Sequence, residues 1–281
     1  MNKILLFGVA SVLSLSFVVN AQGRKSRNTE ITVISREESS GTRGAFDELM
    51  KISDGKTNVL FKEAVIVSST DEVASKVEVD RRAIGYTSLG SVTSKVKALS
   101  VDGVAATGEN VKNGTYKISR PFVVAVEKNV SNPLTRDFIK YIMSKEGQEI
   151  AAKGGYVTSD NNASYMANGL SGKLTLSGST SVERVIERLK EGYIKLNPNV
   201  KIEINYNGSS AGIKDCLGGK SNMAMSSREL KVDEKDKLDG HTFALDAIAV
   251  IVNKDNALNG ITSEMVTKIF KGEIRGWNDV K

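Results

Sequence analysis

Residues 174–182 read Leu174-Thr175-Leu176-Ser177-Gly178-Ser179-Thr180-Ser181-Val182. Leu174 and Leu176 alternate as a short strand does, and four hydroxyl residues and a glycine follow. From Val182 the apolar residues Val185, Ile186, Leu189, Tyr193 and Leu196 recur at helical spacing. A strand that ends on small hydroxyl residues and turns at once into a helix is one half of a βα unit. The helix start presents free backbone N–H groups and the positive end of a helix dipole, and Ser, Thr and Gly let an oxyanion approach them.

The same design recurs twice. Val200, Ile202, Ile204 and Tyr206 alternate ahead of Asn207-Gly208-Ser209-Ser210-Ala211-Gly212, and Ile31 to Ser35 precedes Ser39-Ser40-Gly41-Thr42 and a helix predicted to Lys51. Singly, such a segment is an N-cap or a tight turn. Three together outline an anion cradle, to which Arg36 adds a full positive charge with a bidentate fork.

Outward from these segments, strands are predicted at Ala64–Val67, Ala83–Tyr86, Pro121–Val126, Met223–Ser226 and Ala247–Val252. Helices are predicted after the Ser69-Thr70-Asp71 cap, from about Leu134 to Lys153 with Gly154-Gly155 as the stop, and over Ser263–Phe270. The alternation implies an α/β fold with largely parallel sheets. Ser159 to Gly172, rich in Ser, Asn and Gly, reads as a linker.

The whole chain has 281 residues, formal net charge +6, 40% hydrophobic and 26% charged residues, and 25 Gly against 3 Pro. That composition excludes disordered, collagenous and repeat classes and leaves room for two modest domains. One Cys, Cys216, and one His, His241, exclude an intrachain disulfide and Cys- or His-clustered metal centres, so no cofactor or metal is predicted. The basic residues are interleaved with acids, so nucleic acid is not an expected partner. Lys3, the apolar run Ile4 to Val19 and the small residues Val19-Asn20-Ala21 read as a secretory signal peptide over 1–21, cleaved after Ala21. No cysteine follows that would carry a lipid anchor, which favours a periplasmic location.

The motifs LTLSGSTSV (174–182), NVKIEINYNGSSAGIK (199–214), MAMSSREL (223–230), LDAIAVIVNKDN (245–256), ITSEMVTKIFKGEIRGW (261–277) and ITVISREESSGTRGAF (31–46) resemble those of the periplasmic phosphate-binding proteins of phosphate ABC transporters. SRPFVVAV (119–126) and FIKYIMSKEGQEIAAKGGYV (138–157) extend the resemblance. It implies a two-lobed type II solute-binding fold with two hinge strands. The blocks stand in a rotated order, with ITVISREESSGTR first and LTLSGSTSV after the linker, so the chain looks circularly permuted, its old ends joined by 159–172. Such a rearrangement preserves a fold when the old ends lie close together. Residues 28–117 and 248–281 would form one lobe and 118–247 the other.

By the same resemblance Thr180, Ser181, Ser209, Ser227, Arg36, Ser40, Gly41 and Thr42 would contact phosphate, a membrane permease would be the partner of a monomeric receptor, and no covalent chemistry is implied. Hydrogen bonds to a charged partner contribute about 1.5 to 3 kcal/mol each, so seven or eight donors support micromolar binding, about −8 kcal/mol. Ser227 stands where the family carries Asp, an acceptor for the phosphate proton; Asp246 is the candidate replacement. Glu38 is a candidate to pair with Arg36. Arg43 and Arg228 flank the cradle, Cys216 reads as a core residue, Trp277 as packing at the end of the last helix, and His241 takes no role. Rival readings are a receptor for another tetrahedral oxyanion, such as sulfate, molybdate or phosphonate, and a penicillin-recognising serine enzyme. The latter rests on Ser94-Lys95-Val96-Lys97 and Ser159-Asp160-Asn161 and lacks the third signature.

Overall fold

Two parallel half-sheets are joined edge to edge by two long antiparallel strands. The computed structural model describes residues 29–53, 57–130, 132–160 and 162–280; the expected signal peptide lies outside them. In chain order the first lobe begins with β1 (Thr32–Arg36), α1 (Gly41–Leu49), β2 (Val65–Val67), α2 (Thr70–Val79) and β3 (Ala83–Ser88). The short strands β4 (Val96–Ala98) and β5 (Ser100–Val101) and the helix α3 (Gly108–Lys112) follow. β6 (Ser119–Glu127) crosses to the second lobe, which contains α4 (Pro133–Ile142), α5 (Lys145–Lys153), β7 (Gly172–Gly178), α6 (Glu183–Leu196), β8 (Val200–Tyr206), α7 (Ser209–Leu217), β9 (Met223–Ser226) and α8 (Val232–Lys235). β10 (Leu238–Asn253) crosses back to β11 (Gly260–Ile261) and α9 (Ser263–Phe270).

The sheet runs β2-β1-β3-β10-β6-β9-β7-β8, with β4 also on β10. β1 is parallel to β2 and β3, and β7 to β8 and β9. The expectation of largely parallel sheets therefore holds within each half and fails between them, because β10 is antiparallel to β3, β4 and β6. The crossing is legible in the register. Residues 238–247 of β10 pair with β6, and 248–253 pair with β3 and β4. Apolar packing divides at the same place: one pair of clusters draws on residues 122–244, the other on 31–118 and 247–280 together with Val157. Phe46, Tyr86 and Phe270 tie α1, β3 and α9 together, the first two stacked at 4.0 Å.

Two elements differ from the sequence reading. The helix expected over about 134–153 is two helices, because Ser144 caps the second through its hydroxyl to the Gly147 N–H. A Cβ on Gly147 would lie 2.3 Å from the Tyr141 carbonyl, so the break depends on that glycine. β10 is 16 residues long and not six; its first half, with Asp239, His241 and Thr242 among its residues, lacks the apolar run that marks the second. The expected linker carries no regular structure until β7, yet it is fastened. Tyr165 and Asn168 reach the buried Asp137 carboxylate at 2.7 and 2.8 Å, and Ser159 donates to Gln148. The two ends of the described chain meet: Ile31 N–H donates to Arg275 O at 2.7 Å and Trp277 N–H to Thr29 O at 2.8 Å. Trp277 stands in a 3-10 turn beyond the last helix and donates its indole N–H to Arg82 O. Cys216 is buried in the core, its thiol pushed up to about 11 by burial.

Candidate anion site between the lobes

Four turns, two from each lobe, meet at the crossing. Those of the first lobe are the β1–α1 turn and the N-terminus of α2, both capped by serine: Ser40 accepts from Arg43 N–H and Ser69 from Glu72 N–H. In the second lobe the helices after Thr180-Ser181 and Asn207-Gly208 begin without a side-chain cap. Their first-turn N–H groups rely on partners other than a capping side chain. The chain can turn this sharply because Gly178 (φ 147°) and Gly208 (φ 93°) take backbone angles closed to most side chains.

Side chains interlock across the boundary. Thr42 Oγ1 and Ser181 Oγ are 2.6 Å apart, Thr70 Oγ1 is 2.8 Å from Ser181 Oγ and 3.1 Å from Thr180 Oγ1. Ser227 Oγ accepts from Ser179 Oγ at 2.9 Å and lies 3.4 Å from Ser209 Oγ, whose oxygen accepts the Ser227 N–H at 3.1 Å. Gly41 presses against this second group, since a Cβ there would lie 2.2 Å from Ser209 Oγ and 2.9 Å from Ser227 Oγ. The backbone joins as well, with Ser210 N–H donating to Ser39 O at 3.1 Å.

Arg36 is 1% exposed, and four of its five guanidinium N–H groups hold it in place. Nε and Nη2 form a fork on the Glu37 carboxylate, both at 2.9 Å, Nη2 also reaches Ser68 O, and Nη1 donates to Thr70 Oγ1 at 3.0 Å. The pairing expected with Glu38 is made by Glu37 instead. Glu38, in the turn beyond β1, lines an open groove of about 840 Å³ beside the cradle. Arg43 and Arg228 do not raise the local charge freely: Arg43 is bonded to Asp47 at 3.3 Å and Arg228 forks onto Glu234 at 2.8 Å.

Of the predicted residues, Arg36, Gly41, Thr42, Thr180, Ser181, Ser209 and Ser227 come together; Ser40 stands beside them, its hydroxyl used as the α1 cap. Asp246 lies in the crossing strand, directly opposite Arg120, to which it is bonded at 3.0 Å with both side chains buried. Burial pushes its carboxyl up to about 6 in spite of the guanidinium. No hydrogen bond links it to a cradle hydroxyl. It approaches the cradle through Arg120, whose Nη1 reaches Ser227 O at 3.4 Å. Two residues were missed. Thr70 bridges Arg36 to both Thr180 and Ser181, and its Ser69-Thr70-Asp71 segment follows the strand–hydroxyl–helix design of the other three. Ser179 stands in the same hydroxyl turn as Thr180 and Ser181, and nothing in its residue type sets it apart from them. The serine-enzyme signatures are used structurally: Lys97, on β4, donates to Asn256 O, and Ser159 donates to Gln148.

Small hydroxyls, uncapped helix starts and one oriented guanidinium can donate to a compact polyoxyanion and offer it no covalent chemistry. Comparison with known proteins agrees with this geometry. The model of the PBP superfamily domain matches residues 20–146 and 163–281. Phosphate-binding protein PstS 2 of Streptococcus agalactiae serotype V is 39% identical over 98% of this chain and 97% of its own. Its namesake from Streptococcus pneumoniae serotype 4 is 42% identical over 93% and 91%. The chain belongs to the phosphate-binding proteins of the PBP superfamily. A crystal structure of one family member, the phosphate-binding protein of a phosphate ABC transporter from Streptococcus pneumoniae TIGR4, superposes with a TM-score of 0.73 at 42% identity, covering 90% of this chain and all of that one. These relatives are binding proteins and not enzymes. Among the described residues no helix is long and apolar enough to cross a membrane.

Proposed function

We propose that this protein captures inorganic phosphate between its lobes and hands it to the membrane permease of an ABC transporter. The observation that carries the reading is the convergence of hydroxyls from both lobes on the Arg36–Thr70 arm, because neither half alone surrounds a tetrahedral anion. Binding would therefore draw the lobes together about β6 and β10. The contacts assigned to phosphate are Thr180, Ser181, Ser209, Ser227, Arg36, Ser40, Gly41 and Thr42, with Thr70 and Ser179 added from the geometry. The named activities of the relatives support the same substrate. Export through the leader at 1–21, a periplasmic location and a monomeric receptor complete the reading.

We further infer that this chain carries its blocks in an order rotated from the one the motif resemblance implies, an order it shares with the two Streptococcus relatives that match it over 93–98% of its length. Thr29, at one described end, and Trp277, close to the other, are hydrogen-bonded neighbours, as the two sides of a reopened loop would be.

A second reading, a receptor for any tetrahedral oxyanion, is favoured by one observation. Among the described residues no carboxylate is hydrogen-bonded to the clustered hydroxyls, so those hydroxyls offer no carboxylate acceptor that would favour a protonated anion over sulfate. Calorimetric titration of the anion-stripped mature chain with phosphate and then sulfate, at pH 5 and pH 8, separates the two. Phosphate heat without sulfate heat supports the first reading, equal heats the second, and no heat with either anion overturns both.

A further inference from the structure

Asp215 lies on α7, outside the cluster of hydroxyls, and makes contacts that the capture of an anion does not by itself require. Its Oδ2 accepts from Ser177 Oγ at 2.8 Å and from Asn207 Nδ2 at 2.8 Å, and Ser177 Oγ lies 3.0 Å from Asn207 Oδ1. Three side chains from β7, the β8–α7 turn and α7 thus close a small ring. Ser177 is the residue before Gly178, which opens the turn carrying Ser179, Thr180 and Ser181. Asn207 is the residue before Gly208, which opens the turn carrying Ser209. The backbone repeats the link, since Gly178 O accepts both Asn207 N–H and Gly208 N–H at 2.9 Å. Gly212 brings α7 into contact with the same point, where a Cβ would lie 2.3 Å from Ser177 O.

We propose that Asp215 is a positioning residue for the anion cradle: its carboxylate fixes Ser177 and Asn207 and so sets the spacing between the two turns that the second lobe contributes. The proposal rests on the phosphate-receptor reading of those turns. Its basis is geometric. The backbone already joins the two turns through Gly178 O and the pairing of β7 with β8, but both turns have a glycine with positive φ and a helix start without a side-chain cap, so a side-chain restraint adds to those bonds. A carboxylate with two donors, one from each turn, supplies that restraint. The hydrogen bond from Ser177, followed by that from Asn207, holds the Asp215 carboxyl below its ordinary range, so the clamp stays ionised at neutral pH.

The test compares wild type, Asp215→Ala and Asp215→Asn by phosphate titration and by amide hydrogen exchange without phosphate. Asp215→Ala should raise the phosphate Kd about tenfold or more. It should also speed exchange at 178–182 and 206–210 while leaving 37–43 unchanged. Asp215→Asn keeps an acceptor oxygen and should restore most of both; should the alanine variant fail to fold, Ser177→Ala removes one of the two donors and should move both readouts in the direction expected of Asp215→Ala. Wild-type Kd in both variants, or exchange unchanged in the two turns, would overturn the proposal. So would exchange that rises across the whole β7–β8–β9 half-sheet, which marks a merely structural residue. If wild type itself gives no heat with phosphate, the receptor reading fails, and the exchange data still decide whether Asp215 fixes the turns.

Discussion

A methyl group on Gly41 has no room while Ser209 and Ser227 face it, so this one position reports on whether the two lobes must meet. Gly41 opens α1 with ordinary helical geometry, and alanine there favours the isolated helix by about 1 kcal/mol. Gly41→Ala should therefore leave thermal stability near that of wild type and weaken phosphate binding about a hundredfold, read by titration and melting on the same sample. Wild-type affinity in this variant would show that the contact across the lobes is dispensable. Asp246 makes a second prediction at this scale. Its carboxyl sits at about 6 in the folded chain against 3.8 for the free group, so the folded state holds the proton more tightly. The stability this confers is complete below about pH 4 and is lost as pH rises through about 6, with a slope of at most ~1.4 kcal/mol per pH unit. Asp246→Asn should remove that slope, whatever its effect on absolute stability; parallel pH curves for the two proteins would refute the assignment.

Among the elements, the segment between α5 and β7 departs furthest from its reading as a linker. Its composition is that of a flexible connector, but Asp137 on α4 accepts from Tyr165 and Asn168 on that segment and from Tyr193 on α6. Burial, and then this hydrogen bond to Asp137, push the Tyr165 hydroxyl up to about 12. Asp137→Ala leaves two buried tyrosine hydroxyls and the Asn168 amide without their acceptor. It should cost about 3 kcal/mol in urea unfolding and expose the 163–169 stretch to proteolysis. Unchanged stability and protease resistance would mean that the segment is held by something else. Composition could not reveal this fastening, because it depends on how the segment lies against α4 and α5, where Tyr165 N–H also donates to Glu146 at 2.7 Å. The split of the 134–153 helix was legible in hindsight at Ser144 and Gly147, a cap and a close approach inside an otherwise continuous apolar stripe.

At the scale of the molecule, the sheet is one continuous surface whose two halves are joined at β6 and β10, and the chain ends are neighbours. A variant whose residues 280 and 29 are connected by a short loop, and whose chain is opened between Gly155 and Gly172, should fold with the same far-ultraviolet spectrum and bind phosphate within about threefold of wild type, a difference below ~1 kcal/mol. Failure of that chain to fold would contradict the permutation, because the same contacts would then depend on the order in which they are strung.

The sequence by itself determined the α/β alternation, the three hydroxyl turns and Arg36, because periodicity and turn chemistry are local properties written in consecutive residues. It also carried Thr70 and Ser179, although a helix cap and a contact residue look alike until a partner is present. Only the tertiary structure decided that Glu37 and not Glu38 holds Arg36, that Arg120 takes up Asp246, and that Asp215 joins two turns. Each of those pairings is set by distances between segments far apart in the chain, or by which side of a turn a side chain leaves, and neither is encoded in residue type or spacing.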